Sequence, residues 1–116
     1  MEEDVTRFNI LFVCTQNRLR SPTAQKIFRE DIHLNVRSAG LNKEAVVPLT
    51  LELVEWADIV FVMEKRQKDI IRKKFGDICR RKKIVCLYIP DEYDFMSSEL
   101  IQLLIERVTP YINERT

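Results

Sequence analysis

The sequence predicts a single α/β domain, a three-layer sandwich in which helices cover both faces of a four-stranded parallel sheet. Short runs rich in β-branched and aromatic residues alternate with longer segments of helical periodicity, an order typical of βαβ units with right-handed crossovers. Two of these runs have almost no polar break, as expected of strands covered on both faces. A chain of 116 residues fits one domain, residues 1–116, and leaves no room for two.

The four predicted strands are apolar runs bounded by polar residues, glycine or proline. They cover residues 8–13, 35–39, 58–63 and 83–89. Gly40 directly follows the second strand, and Pro90 ends the fourth because proline cannot donate a hydrogen bond to a sheet.

The predicted helices follow these strands. They cover residues 21–32, 48–57, 64–75 and a final segment from residue 97. Ser21 and Ser97 are the expected N-caps, with Pro22 as the first helical residue of the first helix. Gly76 should stop the third helix, and Pro110 should distort the last turn of the fourth. The apolar spacing predicts one buried face for each helix. These faces are Ala24, Ile27, Phe28 and Ile32 in the first helix; Leu51, Val54 and Trp56 in the second; Ile70, Ile71 and Phe75 in the third; and Leu100, Ile101, Leu104, Ile105 and Val108 in the fourth.

Composition excludes several classes of protein. The formal net charge is +1, so no global imbalance indicates nucleic acid or a membrane surface. The longest apolar runs have strand length, and residues 1–4 lack the pattern of a signal peptide, so we expect a cytoplasmic protein, and a monomer. Three cysteines in such a chain predict no disulfide framework, and one histidine predicts no metal site and no cofactor.

Residues 65–83 form a basic segment with ten lysines and arginines. Such a segment suits either an acidic partner, including nucleic acid, or a solvated helix face. We favour the solvated face, since no interleaved aromatic residues are present for base stacking.

In parallel sheets ligands bind beyond the carboxyl ends of the strands. Three predicted loops converge there, at residues 14–21, 40–47 and 90–96. The chemistry of the protein should therefore come from these loops.

The first of these loops begins with Cys14, and Arg20 follows six residues later, just before a helix. A helix N-terminus and a nearby guanidinium favour the thiolate form of cysteine. The guanidinium also offers a planar fork to two phosphate oxygens, and a curled loop can point successive N–H groups at an anion. The loop thus predicts a phosphate site, with these binding residues: Thr15, Gln16, Asn17, Arg18, Leu19, Arg20 and Ser21.

Two further features of the loop suit this chemistry. The Ser21 hydroxyl can donate a hydrogen bond to the thiolate, and Asn17 tolerates the left-handed conformation that a tight curl requires. A buried strand cysteine beside a surface arginine is the alternative. Cys86 represents that alternative within the same chain, because no such loop follows it.

Three segments together resemble the low-molecular-weight protein tyrosine phosphatase family. They are Ile10-Leu11-Phe12-Val13-Cys14 with Asn17 and Arg20-Ser21-Pro22, then Arg37-Ser38-Ala39-Gly40, then Ala57-Asp58-Ile59-Val60-Phe61-Val62-Met63-Glu64. By this resemblance Cys14 is the nucleophile, Arg20 binds the phosphoryl group and Ser21 stabilises the thiolate, while Asn17 and Ser38 brace the loop. The implied activity is hydrolysis of a phosphorylated protein or a small phosphomonoester through a phosphocysteine.

The sequence departs from the family pattern in four places. Gln16 stands where glycine is usual, and Leu19 replaces a second cysteine that often precedes the arginine. The segment between the second and third strands is short, and a loop-bracing histidine has no counterpart, since His33 falls at a predicted helix end. These departures bear on the walls of the substrate pocket.

The family keeps an acid, followed by proline and an aromatic residue, in the loop after the last strand. Here Asp91 gives the best register for that acid, with Glu92 in the place of the proline and Tyr93 at the pocket rim. Asp94 is the second candidate. The acid would protonate the departing oxygen.

Three alternatives remain open. A non-catalytic phosphate-binding module would fit Gln16, Glu92 and the missing loop-bracing histidine. A thiol-dependent arsenate reductase would need two more cysteines, of which Cys79 and Cys86 are the available ones. A phosphocarrier domain of the sugar phosphotransferase type has a cysteine after its first strand, but such loops generally lack the paired arginine.

Overall fold

The computed structural model describes residues 7–113, and its strands and helices alternate along the chain. The strands are β1 (Phe8–Cys14), β2 (Leu34–Gly40), β3 (Ile59–Val62) and β4 (Lys83–Cys86), and the helices are α1 (Arg20–Phe28), α2 (Leu51–Trp56), α3 (Lys65–Arg80) and α4 (Ser98–Asn113). All the strand pairs are parallel, in the order β2-β1-β3-β4. The predicted fold class is confirmed, and β1 lies inside the sheet.

Alternate side chains of β1 enter two separate cores, which is why residues 10–14 of this strand are all apolar. Ile10 and Phe12 belong to the core beneath α1 and α4, whereas Leu11 and Val13 belong to the core beneath α2 and α3. The rings of Phe12 and Phe61 stack with their centroids 5.3 Å apart. Truncation of such a buried ring to alanine costs about 3–5 kcal/mol of stability. Two tight cores therefore fix the position at which β1 ends.

The first helix begins two residues earlier than predicted. Leu19, not Ser21, is the N-cap of α1, and it makes no capping hydrogen bond through its side chain. Ser21 lies in the first helical turn instead, where its hydroxyl contacts Cys14 Sγ. The N-cap prediction was therefore wrong because tertiary contact with the sulfur uses the hydroxyl. Ile32 lies beyond the helix end and is exposed rather than buried.

The third helix does not stop at Gly76. That residue has φ 44° and ψ −108°, and the helical segment continues beyond this kink to Arg80. Glycine adopts positive φ without a steric penalty, so it bends the segment rather than ending it. The fourth strand is shorter than predicted, but its backbone pairing with β3 continues: the N–H groups of Leu87 and Ile89 donate to the carbonyls of Val62 and Met63, each at 2.8 Å.

The predictions for the second and fourth helices are confirmed in some details and wrong in others. Ser97 does cap α4, accepting a hydrogen bond from the N–H of Leu100 at 3.2 Å. Thr50 caps α2, which starts later than expected. Three side chains expected in the core are exposed at helix edges: Leu51, Ile70 and Ile105. Pro110 lies inside α4.

Candidate active site

The segments that follow β1 and β4 meet around one small cavity. Its volume is about 190 Å³, and its lining residues are Cys14, Thr15, Gln16, Arg18, Leu19, Arg20 and Asp91. We call residues 14–20 the phosphate loop and residues 90–96 the acid loop. The structure therefore brings the predicted nucleophile, the predicted phosphate-binding arginine and the preferred acid to one place.

The Cys14 sulfur is buried at the end of β1 and receives two polar contacts. The backbone N–H of Asn17 donates to Sγ at 3.2 Å, and Ser21 Oγ lies 3.0 Å from the same atom. Hydrogen bonds to sulfur stabilise its anionic form, which is the nucleophilic one. These contacts make Cys14 suitable for nucleophilic attack.

The carbonyl groups of the phosphate loop face away from the cavity. The N–H groups of Leu41, Asn42 and Val46 donate to the carbonyls of Cys14, Thr15 and Gln16 at 3.0–3.2 Å. In a trans peptide the C=O and the following N–H point in opposite directions. The N–H groups of residues 15–17 therefore point toward the sulfur side of the loop, as an anion site requires.

Asn17 is the central brace of the phosphate loop. Its φ is 59°, the left-handed conformation expected from its residue type. Its Nδ2 donates to Ser21 Oγ at 2.8 Å and to Ser38 Oγ at 3.0 Å, while its Oδ1 accepts from the N–H of Val47 at 3.2 Å. The three loop-support residues expected from the sequence thus form one connected network.

Gly40 allows β2 to pass directly behind this loop. A Cβ atom at that position would lie 2.5 Å from the Ala45 Cβ, 2.8 Å from the Thr15 carbonyl oxygen and 3.0 Å from the Asn17 nitrogen. No side chain fits at those distances. Glycine is therefore required at position 40, because the phosphate loop and Ala45 lie so close to its Cα.

Arg20 is 3% exposed and is held by groups from distant parts of the chain. Its Nη1 donates to Glu64 Oε2 at 2.6 Å and to the Ile89 carbonyl at 2.8 Å. Asp91 Oδ1 lies 3.7 Å from Nε. Because the short contacts use Nη1, the edge formed by Nε and Nη2 can present two donors to a phosphoryl group.

The acid loop places its carboxylates differently. Asp91 lines the cavity and is 64% exposed. Glu92 and Asp94 are exposed and are not among the lining residues, so Asp91 is the better placed acid. Tyr93 does not reach this cavity, which corrects its predicted place at the rim. It packs on the core beneath α4 and lines a separate depression with Leu103.

Sequence reasoning missed two residues that organise the site. Glu64, expected only as the start of a helix, is the partner of Arg20. Gln67 is fully buried, and its Oε1 accepts from the N–H groups of Met63 and Glu64, while its Nε2 donates to Thr15 Oγ1 at 3.2 Å. One signal was available: Gln67 is the single uncharged side chain among residues 64–69, directly after an apolar strand.

The other cysteines lie away from the nucleophile. Cys14 belongs to the core beneath α1 and α4, whereas Cys79 and Cys86 are part of the opposite core. Burial raises the pKa of the Cys79 thiol, and the charge of Arg72 offsets this only in part. His33 is exposed beside the amino end of β2, remote from the phosphate loop.

Comparison with known proteins gives consistent matches. Residues 9–50 match the family described as low molecular weight phosphotyrosine protein phosphatase. A protein-arginine-phosphatase of Bacillus subtilis (strain 168) is 38% identical, over 59% of this chain and 63% of its own length. This chain therefore spans less than two thirds of that curated relative.

Solved structures extend the match to nearly the whole chain. A YwlE mutant from Bacillus subtilis is 31% identical, with 91% of this chain and 99% of that chain covered and a TM-score of 0.68. A YwlE arginine phosphatase mutant with a phosphorylated active-site serine has the same identity and a TM-score of 0.70, with 93% of this chain and 98% of that one covered. The tyrosine phosphatase Wzb from Escherichia coli K30, in complex with phosphate, is 21% identical with a TM-score of 0.72, over 94% and 99% of the two chains, and supports the fold alone.

The chain belongs to the low molecular weight phosphotyrosine protein phosphatase family. The predicted family is confirmed. Family membership does not establish specificity for phosphotyrosine, because the curated relative is an arginine phosphatase. Among residues 7–113, no helix is long and apolar enough to cross a membrane.

Proposed function

We propose that this protein hydrolyses phosphomonoesters on protein through a phosphocysteine intermediate, with Cys14 as nucleophile, Arg20 as phosphate ligand and Asp91 as general acid. The observation that carries the proposal is the single cavity that these residues share. A reactive thiol, a cationic fork and a carboxylate around one space of this size are the parts that phosphoryl transfer to cysteine requires.

In the first step the Cys14 thiolate attacks phosphorus, so an S–P bond forms as the ester O–P bond breaks. The departing oxygen takes a proton from the Asp91 carboxyl group, which is left as a carboxylate. The inward N–H groups of the phosphate loop and the Nε–Nη2 edge of Arg20 stabilise the charge on the transferring phosphoryl oxygens.

In the second step water attacks the phosphocysteine. The Asp91 carboxylate takes a proton from this water, the S–P bond breaks, and inorganic phosphate leaves. The Ser21 hydroxyl, 3.0 Å from Sγ, donates a hydrogen bond to the departing thiolate. The acid and the thiolate are thereby restored for another turnover.

We propose phosphotyrosine as the substrate side chain. Arg18 is an exposed cation in the cavity lining. The neutral ring of phosphotyrosine can lie against a guanidinium through a cation–π contact, whereas the guanidino group of phosphoarginine retains positive charge and would be repelled. Phosphoarginine is the second candidate, because relatives of this chain are arginine phosphatases.

Two of the three alternatives considered from the sequence are less well supported. An arsenate reductase would need Cys79 and Cys86 to exchange disulfides with Cys14, yet both pack with the opposite core. A module that only binds phosphate would have no use for the acid, yet Asp91 lies in the cavity lining. A cytoplasmic monomer that binds neither membrane nor nucleic acid and needs no cofactor remains our expectation.

The proposal is tested by assaying the purified protein with p-nitrophenyl phosphate, using Cys14→Ser as the matched inactive variant. We expect hydrolysis by the native protein, unchanged by a metal chelator. Absence of hydrolysis, with phosphate binding retained, would identify a binding module instead.

Substrate choice is tested with two peptides that differ only in carrying phosphotyrosine or phosphoarginine. We expect a higher kcat/KM for phosphotyrosine, and we expect Arg18→Gln to lower the ratio between the two substrates. A higher kcat/KM for phosphoarginine would assign the second candidate.

A further inference from the structure

Tyr88 has an unusual backbone conformation just after β4. Its φ is 55°, and its side chain is 65% exposed. A left-handed conformation at a non-glycine residue costs of order 1–3 kcal/mol and persists only when the surrounding structure enforces it. A large aromatic residue at such a position therefore calls for a structural or functional reason.

The surrounding contacts show how this conformation is enforced. The N–H groups of Leu87 and Ile89, on either side, donate to the carbonyls of Val62, the last residue of β3, and Met63, which follows it. Arg107 Nη1 donates to the carbonyls of Leu87 at 2.8 Å and Tyr88 at 2.6 Å. The Ile89 carbonyl in turn accepts from Nη1 of Arg20. The strained residue is thus fixed next to a carbonyl that orients the phosphate-binding arginine, and its ring is turned outward.

The outward ring forms one wall of a depression of about 500 Å³. Pro90 and Asp91 also line it. Asp91 lines the catalytic cavity as well, so the two spaces share a wall. The depression that Tyr88 lines therefore adjoins the catalytic cavity.

The charged residues of this depression already have partners within the protein. Glu64 and Asp91 both approach Arg20, at 2.6 Å and 3.7 Å, and Lys65 Nζ lies 3.3 Å from Asp69 Oδ2. A charged occupant would have to compete with these pairs. The exposed Tyr88 ring and the ring of Pro90 remain as contact surface, which suits an apolar occupant.

We propose that Tyr88 is a specificity residue that binds an apolar side chain flanking the phosphorylated residue of a protein substrate. This inference rests on the proposed function. An extended peptide advances about 3.3 Å per residue, so residues close to the phosphotyrosine lie outside the catalytic cavity, near its rim. An apolar neighbour would cover the Tyr88 ring, and the fixed backbone would spare the entropy of ordering that wall on binding.

The test uses the Cys14→Ser protein, which lacks the nucleophile, and measures peptide binding by fluorescence anisotropy. One labelled phosphotyrosine peptide has two leucines on each side of the phosphotyrosine, and the other has two glycines on each side. We expect Tyr88→Ala to weaken binding of the leucine peptide about fivefold to tenfold and to change binding of the glycine peptide by less than about twofold, the scale of one truncated aromatic contact.

Two control variants sharpen this test. Tyr88→Phe keeps the ring and should keep the preference for leucine. Ile32→Ala removes a side chain of matching exposure, 64%, beside the opposite end of the sheet and should affect neither peptide. An equal loss for both peptides in Tyr88→Ala would show a structural effect through Arg20 and overturn the inference, as would no loss for either peptide.

Failure of the proposed function gives a different result. If the Cys14→Ser protein binds neither phosphopeptide while the tyrosine side chain at position 88 is intact, both the proposed function and this inference are overturned. If both peptides bind with equal affinity, the phosphate site stands and only the specificity inference is lost.

Discussion

The phosphate loop and the acid loop meet at one cavity but are built in opposite ways. In the phosphate loop the carbonyls of residues 14–16 bond to the segment after β2, and Asn17 connects Ser21 with Ser38. The acid loop is held at its ends, where the Ile89 carbonyl binds Arg20 and the N–H of Met96 donates to Thr23 Oγ1 at 3.0 Å.

The difference matches what each loop contacts in the proposed reaction. The phosphate loop meets the phosphoryl group, which is the same in every substrate, so fixed donors suit it. The acid loop meets the leaving group, which varies, and its acid is exposed between two anchors. Substitutions in the two loops should therefore differ in the size and in the substrate dependence of their effects.

The largest effect should come from Cys14→Ser. Loss of the nucleophile should lower kcat for p-nitrophenyl phosphate by about ten-thousand-fold or more, as removal of a catalytic nucleophile does in other hydrolases. Vanadate or phosphate affinity, measured by calorimetry, should survive in part, because the N–H groups and Arg20 remain. Turnover near the native level would rule out the phosphocysteine.

Arg20→Lys should have the next largest effect, on the order of a hundred- to a thousand-fold in kcat/KM. An ammonium cannot span Glu64, the Ile89 carbonyl and two phosphate oxygens with a planar fork. The loss should be similar for p-nitrophenyl phosphate and phenyl phosphate, since the phosphoryl group is common to both. A variant that keeps most of the native rate would contradict the assigned role.

The loss of activity in Asp91→Asn should depend on the leaving group, whereas the loss in Arg20→Lys should not. For phenyl phosphate we expect a loss of about a hundredfold or more, since a phenolate with a pKa near 10 needs a proton to depart. For p-nitrophenyl phosphate the loss should be far smaller.

Asp94→Asn is the matched control on the same loop. If the dependence on the leaving group appears there and not in Asp91→Asn, the acid was assigned to the wrong carboxylate. If it appears in neither variant, the acid lies elsewhere, with Glu92 as the remaining carboxylate of the acid loop.

The smallest effects concern stability. Asn17→Ala removes two buried hydrogen bonds and one that is partly buried, and it puts a less tolerant residue at positive φ. It should therefore lower the free energy of unfolding by about 2–3 kcal/mol. Glu92→Ala, in the exposed part of the acid loop, should change that free energy by less than about 0.5 kcal/mol. Urea denaturation of both variants checks this. Equal losses would show that the two loops are equally well held.

The features predicted well from the sequence are those fixed locally or by the parallel sheet. Strands of unbroken apolar residues gave the fold, and the position of Cys14 between strand and helix gave the loop. Asn17 was identified from its tolerance of positive φ. Gly40 marked the end of β2.

The features that sequence reasoning missed depend on contacts between distant elements. The partnership of Glu64 with Arg20 and that of Gln67 with Thr15 require knowledge of how α3 sits against the phosphate loop. Ser21 was misplaced as an N-cap because local preference suggested a backbone partner while the folded chain offered a sulfur. Tyr93 faces α4 for the same kind of reason: the direction in which the acid loop leaves β4 is set by packing.

Because the partners of Arg20 are distant in sequence, the site can become active only after the domain has folded. The two short hydrogen bonds of Arg20 join residues 44 and 69 positions apart in sequence. Contacts of such separation require closure of long loops before they give any stabilisation. The guanidinium can be oriented only after β3 has docked on β1 and the segment beyond β4 has paired along β3. A partly folded chain would therefore carry the nucleophile without an aligned phosphate ligand. This order of assembly would keep a reactive thiol without phosphatase activity until the domain is complete.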